Sequence, residues 1–308
     1  MKERGGKMEI KTNWLTVSDG TSIYIKQWLP ERRPVGILQI AHGMVEHIER
    51  YHDFASYCTS LGFIVIGNDH RGHGKTGDLG IQGYFTEKNG FQRVVTDLYE
   101  IMQYGKKAFP RLPYYFLGHS MGSFLMRNFI QHDSTEIDGL ILTGTGHYSR
   151  VLSIAGKTIA SFLPPKKNSP FMNQLVLGNS MKQDKHYKHE WLTREKAYAD
   201  AYEEDSYTGF IPTARFFYDL LEGIYQTRKQ SLNQNIRKNL PLLLISGNED
   251  PIGQYGKGVW KTAYLFQKSG LENILVQVYE GGKHELLNDT CREEVFAFIG
   301  DWLKENVN

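Results

Sequence analysis

Six short stretches of this chain are almost wholly apolar, broken only by Gln39 and Gln277, and segments of helical periodicity fall between them. The apolar runs are Val35–Ile40, Phe63–Ile66, Tyr114–Leu117, Leu140–Leu142, Leu242–Ile245 and Ile274–Val278. A half-solvated strand alternates apolar and polar residues, whereas a strand with no polar face belongs in a sheet covered by helices on both sides. The segments between supply those helices. Ile48–Ser60 carries Tyr51, Phe54, Ala55 and Cys58 at helical spacing, and Gly90–Phe109 carries Val94, Val95, Leu98, Ile101 and Met102 on one side. Phe124–Gln131, Trp260–Ser269 and Glu293–Lys304 continue the rhythm. The pattern predicts a mostly parallel α/β sheet, doubly wound. Ahead of it, Ile10–Val17 and Thr21–Trp28 flank Ser18-Asp19-Gly20, as in an antiparallel hairpin.

The rhythm breaks between Gly144 and Leu240, a stretch too long for a structureless loop. Val151–Phe162, Arg194–Tyr202 and Ile211–Tyr225 read as helices within it. The sequence therefore predicts a helical lid, residues 147–235, inserted after the sixth strand, with residues 1–146 and 236–308 forming the core.

Composition narrows the function classes. A formal charge of +2 argues against a dedicated nucleic-acid binder. No run approaches the ~18 apolar residues of a membrane span, and the N-terminal MKERGGKMEI has no apolar signal core. Cys58 and Cys291 are too few for a disulfide framework and read as free thiols. A cytoplasmic location is the expectation.

Tyr114–Met126 reads YYFLGHSMGSFLM: an apolar strand, then Gly118-His119-Ser120-Met121-Gly122, then a helical stripe. This is G-x-S-x-G at a strand-to-helix turn, the setting in which a serine becomes a nucleophile. Glycines two residues either side remove side chains from the crowded turn, so Ser120 can stand exposed at the strand tip. The helix that follows directs its positive end at the same place.

A nucleophilic serine needs a base, and the base an orienting acid. In this kind of fold they follow the serine as acid, then histidine. Among eleven histidines only His284 lies beyond Leu240, after Gly281-Gly282-Lys283 at the end of the last apolar run. The preceding run ends in Ser246-Gly247-Asn248-Glu249-Asp250-Pro251. Asp250 is preferred as the acid because the following proline biases it to an extended turn; Glu249 is the alternative. The developing oxyanion needs two N–H donors, expected from Met121 and from Met44 in the loop His42–His47.

HGMVEH (42–47), NDHRGHGKT (68–76), GHSMGS (118–123), SGNEDP (246–251) and GGKHE (281–285) occur in that order. Together they resemble the monoacylglycerol lipase and lysophospholipase branch of the α/β-hydrolases, often given the serine aminopeptidase name. The lid stretches Glu190–Arg194 and Gly209–Gly223 share the resemblance. It implies an α/β-hydrolase fold, a catalytic Ser120–Asp250–His284 triad, no cofactor and no metal. The family loop often has a small residue where this chain has Met44, and a second aspartate after SGxxDP where this chain runs IGQYGKG.

Other signals read as structural. Arg71-Gly72-His73-Gly74 shapes a loop, with Asp69 bonding nearby backbone; His42, His47 and His119 order their own turns; His186 and His189 are too few for a metal site. Lys157, Lys166 and Lys167 are either a solvated face of the lid or one for transient contact with an anionic membrane. The expected activity is cleavage of a small-molecule ester with an apolar acyl chain, held by lid aromatics such as Phe210, Phe216 and Phe217. The resemblance points to monoacylglycerol or lysophospholipid; alternatives are a short-chain or aromatic-acid esterase, an aminopeptidase, and a binding protein that keeps the fold without the chemistry. The sequence does not specify an oligomeric state.

Overall fold

The apolar runs and the N-terminal hairpin pair into one eight-stranded sheet. In the computed structural model, which describes residues 8–182 and 185–307, the strands are β1 (Glu9–Thr16), β2 (Ser22–Leu29), β3 (Gly36–Ala41), β4 (Phe63–Asn68), β5 (Tyr114–His119), β6 (Gly139–Thr143), β7 (Leu242–Gly247) and β8 (Ile274–Tyr279). Their order is β1-β2-β4-β3-β5-β6-β7-β8. β2 runs antiparallel to β1 and β4, and every other pairing is parallel. Every residue of β3, β4, β5, β6 and β7 is buried, as runs without a polar face require. The charged residues 1–7, part of the N-terminal reading, lie outside the described residues.

The helices are α1 (His52–Ser60), α2 (Gly74–Gly77), α3 (Gly90–Ala108), α4 (Met121–Asp133), α5 (Arg150–Ser161), α6 (Pro170–Met181), α7 (Lys196–Glu204), α8 (Ala214–Gln226), α9 (Gln230–Asn233), α10 (Lys257–Lys268) and α11 (Arg292–Asn306). They cover both faces. Leu98 of α3 and Met126 and Phe129 of α4 join the core on one side, while Phe54 of α1 and Phe296 and Trp302 of α11 join it on the other.

Strand order places the site. The chain steps from β3 to β4 on one side and then crosses to β5 on the other. Loops leaving β3 and β5 therefore part at a topological switch, where open α/β sheets bind ligands. Ala41 at the end of β3 is registered opposite Gly118 of β5, so the two loops begin side by side.

Helices α5 to α9 lie between β6 and β7. Of these, α6 has no counterpart in the sequence reading, because its apolar residues do not fall on one face. The signal that marks it is the cap: the Ser169 side chain accepts from the Met172 N–H, and Pro170 occupies the first turn. Among the described residues no helix is long and apolar enough to cross a membrane.

Candidate active site

Ser120 sits between β5 and α4 with φ 51° and ψ −114°, a left-handed conformation that a non-glycine residue adopts only when its surroundings impose it. The surroundings are two glycines. A Cβ at Gly122 would lie 1.9 Å from the Ala41 carbonyl oxygen, and one at Gly118 would lie 2.6 Å from the Gly122 oxygen. Without those side chains α4 closes onto the end of β3. The Ser120 N–H donates to the Thr143 oxygen at 2.9 Å, which fixes the turn to β6 as well. Met121 is the first residue of α4, so its N–H belongs to the donors that the helix ladder leaves open.

His284 and Asp250 arrive from the ends of β8 and β7. The imidazole Nδ1 is 3.0 Å from Asp250 Oδ1, and both side chains are buried. The same carboxylate oxygen accepts the Ile252 N–H at 2.8 Å, which holds its orientation. Burial opposes a charge on His284, but the adjoining Asp250 charge and hydrogen bond outweigh it and raise the imidazole above its ordinary value. Glu249 turns outward, half-exposed, to Lys283 at 2.9 Å. Ser120, His284 and Met44 all border one small cavity of about 50 Å³.

Two rings flank His284. Trp191 stacks on it at 5.3 Å between centroids, and His119 lies at 4.8 Å from the other direction. His119 reads from the sequence as structural, and in the fold its ring packs beside that of His284. Burial, and then the nearby His284, push His119 down to about 3, so it packs as a neutral ring. Trp191 belongs to the inserted segment, which is tied to the histidine loop by backbone hydrogen bonds from His284 N to Trp191 O at 3.4 Å and from Glu285 N to Leu192 O at 2.8 Å.

A buried ionic chain joins that loop to the one after β3. Arg50 pairs bidentately with Glu285 at 2.8 and 2.6 Å and reaches Glu46 at 2.7 Å. Glu46 in turn accepts the Gly43 N–H at 2.5 Å and the Tyr51 hydroxyl at 2.8 Å. Burial disfavours charge on Glu285, yet the Arg50 guanidinium holds its carboxyl down at about 2. Sequence spacing offers Glu46 and Arg50, four residues apart, but not Glu285, which lies 235 residues from Arg50. Behind the same loop His42 accepts the His70 N–H on Nε2, so its proton is on Nδ1 and is donated to the Gly43 oxygen at 2.8 Å. Asp69 bonds backbone N–H groups of Ile48 and Lys75 at 2.9 and 2.8 Å, as expected.

From Ser120 and Met121 a cavity of about 510 Å³ runs beneath the inserted helices. Its walls include Phe124, Tyr148, Ile159, Leu175, Leu221 and Ile224, with Met44 at the serine end. Phe210, Phe216 and Phe217 do not line it. Phe210 and Phe216 pack against His73, and Phe216 also meets Phe85 and Phe217. The apolar stripe of α8 is real, but its first turn faces the core and only its later residues Leu220, Leu221 and Ile224 reach the cavity.

A sharp serine turn at the switch point, a histidine on an aspartate, and an apolar tunnel under inserted helices together describe an α/β-hydrolase. Residues 32–291 match the family model described as Serine aminopeptidase, S33, and the chain belongs to that family. It is similar to a monoglyceride lipase of Rattus norvegicus, 24% identical over 95% of this chain and 90% of that one. A monoacylglycerol lipase of Mycolicibacterium smegmatis is 25% identical over 92% and 93%. Among solved structures, a thermostable carboxyl esterase from Bacillus coagulans superimposes with a TM-score of 0.89 at 26% identity, covering 98% of this chain and all of that one.

Proposed function

We propose that this chain hydrolyses single-chain lipid esters, monoacylglycerol first among them, through an acyl-enzyme. Ser120 Oγ attacks the ester carbonyl while His284 Nε2 takes its proton. Asp250 holds the imidazole in the needed tautomer and stabilises the imidazolium. The N–H groups of Met44 and Met121 receive the oxyanion. His284 then protonates the leaving alcohol, and a water activated by the same imidazole releases the acid.

The observation that carries this reading is the junction of the Asp250–His284 pair and Ser120 with a 510 Å³ apolar cavity. That volume falls within the usual range for ligand sites and suits an acyl chain. The names of the relatives, lipases of monoacylglycerol and a carboxyl esterase, support the same class. An aminopeptidase would need a free carboxylate for the substrate amine, but the nearby Glu46 and Glu285 are both engaged by Arg50.

Residues 147–235 serve in this reading as the lid over the cavity. It carries exposed Val151, Phe162 and Phe171 together with exposed Lys166 and Lys167, a set suited to resting on an anionic bilayer. The test is a fluorophosphonate label followed by turnover of monoacylglycerol, lysophospholipid and graded p-nitrophenyl esters. Labelling of the wild type but not of Ser120→Ala, with preference for long single chains, is expected. Absence of labelling under conditions that label a control hydrolase overturns the reading.

A further inference from the structure

Arg127 of α4 is 1% exposed. Its Nη1 donates to the Thr145 hydroxyl at 3.2 Å and the Gly146 oxygen at 2.9 Å, while Nε and Nη2 have no partner. Those two nitrogens form one edge of the guanidinium, the edge whose parallel N–H bonds match both oxygens of a carboxylate. The cation also meets the rings of Phe124 and Phe266, at 5.4 and 5.9 Å. One end and the ring contacts are thus used, and the bidentate edge is left over.

The neighbourhood contains no counter-charge. Among the described residues no carboxylate pairs with Arg127 or Arg228, and the charge acting on Arg127 is that of Arg228. Arg228 donates from Nη1 to the Tyr148 oxygen at 2.7 Å, with its Nε unpartnered. His147 Nδ1 is likewise buried without a partner. Both residues are half-buried, and Lys261 beyond them is exposed and acts on His147. Burial and the charges of Arg228, Arg127 and Lys261 push His147 down to about 4, so it stands as a neutral ring beside the two arginines, and no acid is paired with either of them among the described residues. Burial and then Arg228 push Arg127 down to about 9. A buried cation without a partner is costly. A strut for the Thr145–Gly146 turn would need only Nη1, and it accounts neither for the empty edge nor for the second arginine.

We propose that Arg127, Arg228 and His147 form a binding site for a small carboxylate anion, separate from the cavity at Ser120. The anion's two oxygens take Arg127 Nε and Nη2, and Arg228 Nε closes over it at the mouth. The site backs onto the loop that begins at Gly144, where a Cβ would lie 2.8 Å from His284 Cε1. An occupied site therefore braces the backbone behind the histidine.

The test is thermal unfolding of the full chain in sodium acetate, with ionic strength held constant by sodium fluoride, together with calorimetric titration of acetate. A saturable rise of about 2–4 °C is expected for the wild type once acetate is well above its dissociation constant. Arg127→Met should abolish the rise, Arg127→Lys should remove most of it because a point charge lacks the fork, and Arg228→Met should weaken acetate binding roughly tenfold. If Arg127→Met fails to fold, titration of the wild type and of Arg228→Met decides alone. A wild-type melting point indifferent to acetate, no heat of binding, or an equal response in Arg127→Lys overturns the proposal.

Discussion

The indole of Trp191 lies 29° from parallel with the imidazole of His284, their centroids 5.3 Å apart. A residue of the inserted segment thus shields the ring of His284, the base of the proposed mechanism. Trp191→Ala should lower kcat/KM by about tenfold, in line with the ~0.5–1.5 kcal/mol of an aromatic pair plus lost burial, and Trp191→Phe should keep most of the rate. Steady-state kinetics on one ester decides between them.

Removing the carboxylate that faces His284 should be far more damaging than removing its neighbour. Asp250→Asn is expected to lower kcat by about 10⁴, as loss of the orienting acid does elsewhere. Glu249→Gln should stay near wild type, because Glu249 is half-exposed on Lys283. Equal losses in the two variants would remove Asp250 from its assigned role.

The pH profile follows from the same pair. His284 acts as a base only when neutral, and its proton is held more firmly than in free imidazole. Activity should therefore rise with pH through a midpoint above 6.5 and fall away below it. Stability carries the matching sign: the His284–Asp250 contribution is complete below the unfolded value and is lost as pH rises through the folded one. A midpoint below 6.5 in kcat/KM contradicts this assignment.

The buried histidines behind the loop that follows β3 act in the opposite sense. Burial, then neighbouring imidazole charge, pushes His70 down to about 3. The unfolded chain therefore takes up a proton near pH 6.5 that the folded chain refuses, and stability falls as pH drops below that point. Carboxyls raised by burial, such as Asp219 at about 6, pull the other way, so the effect is read by difference. His70→Asn should flatten the dependence of unfolding free energy on pH between 6 and 4 by about 1.4 kcal/mol per unit, one proton's worth. Denaturant titrations at several pH values measure it.

Narrowing the cavity should change which esters are accepted. Leu221→Trp places a larger ring on a wall formed by α8. Long-chain p-nitrophenyl esters should lose at least about tenfold in kcat/KM, while acetate and butyrate esters keep theirs, one methylene being worth about 0.8 kcal/mol of burial. A uniform loss over all chain lengths would place the acyl group elsewhere.

The apolar runs announced the sheet because strands buried on both faces admit few polar residues, and those only when hydrogen-bonded as Gln39 is to Tyr114 and the Leu98 oxygen; each run pairs in register. The placement of Ser120, Asp250 and His284 at neighbouring strand ends was legible because each follows an apolar run on a short loop of turn residues. The pocket walls were not. Periodicity reveals that α8 has an apolar face, but not that Phe216 and Phe217 stay within the core while Leu220, Leu221 and Ile224 also reach the cavity. The Glu46–Arg50–Glu285 chain was equally hidden, since charged residues far apart in sequence look like solvated surface until the fold buries them together.

The hydrogen bonds from His284 and Glu285 to Trp191 and Leu192 continue into the Thr193 hydroxyl on the Asn288 oxygen and Arg194 on Asp289. The inserted segment is therefore not a detachable module. A chimera that exchanged the whole stretch between β6 and β7 would replace the support of its own His284 loop along with the roof of its cavity. Grafts confined to α5 and α6 would leave residues 191–194 in place, so specificity could be exchanged without rebuilding the catalytic loop.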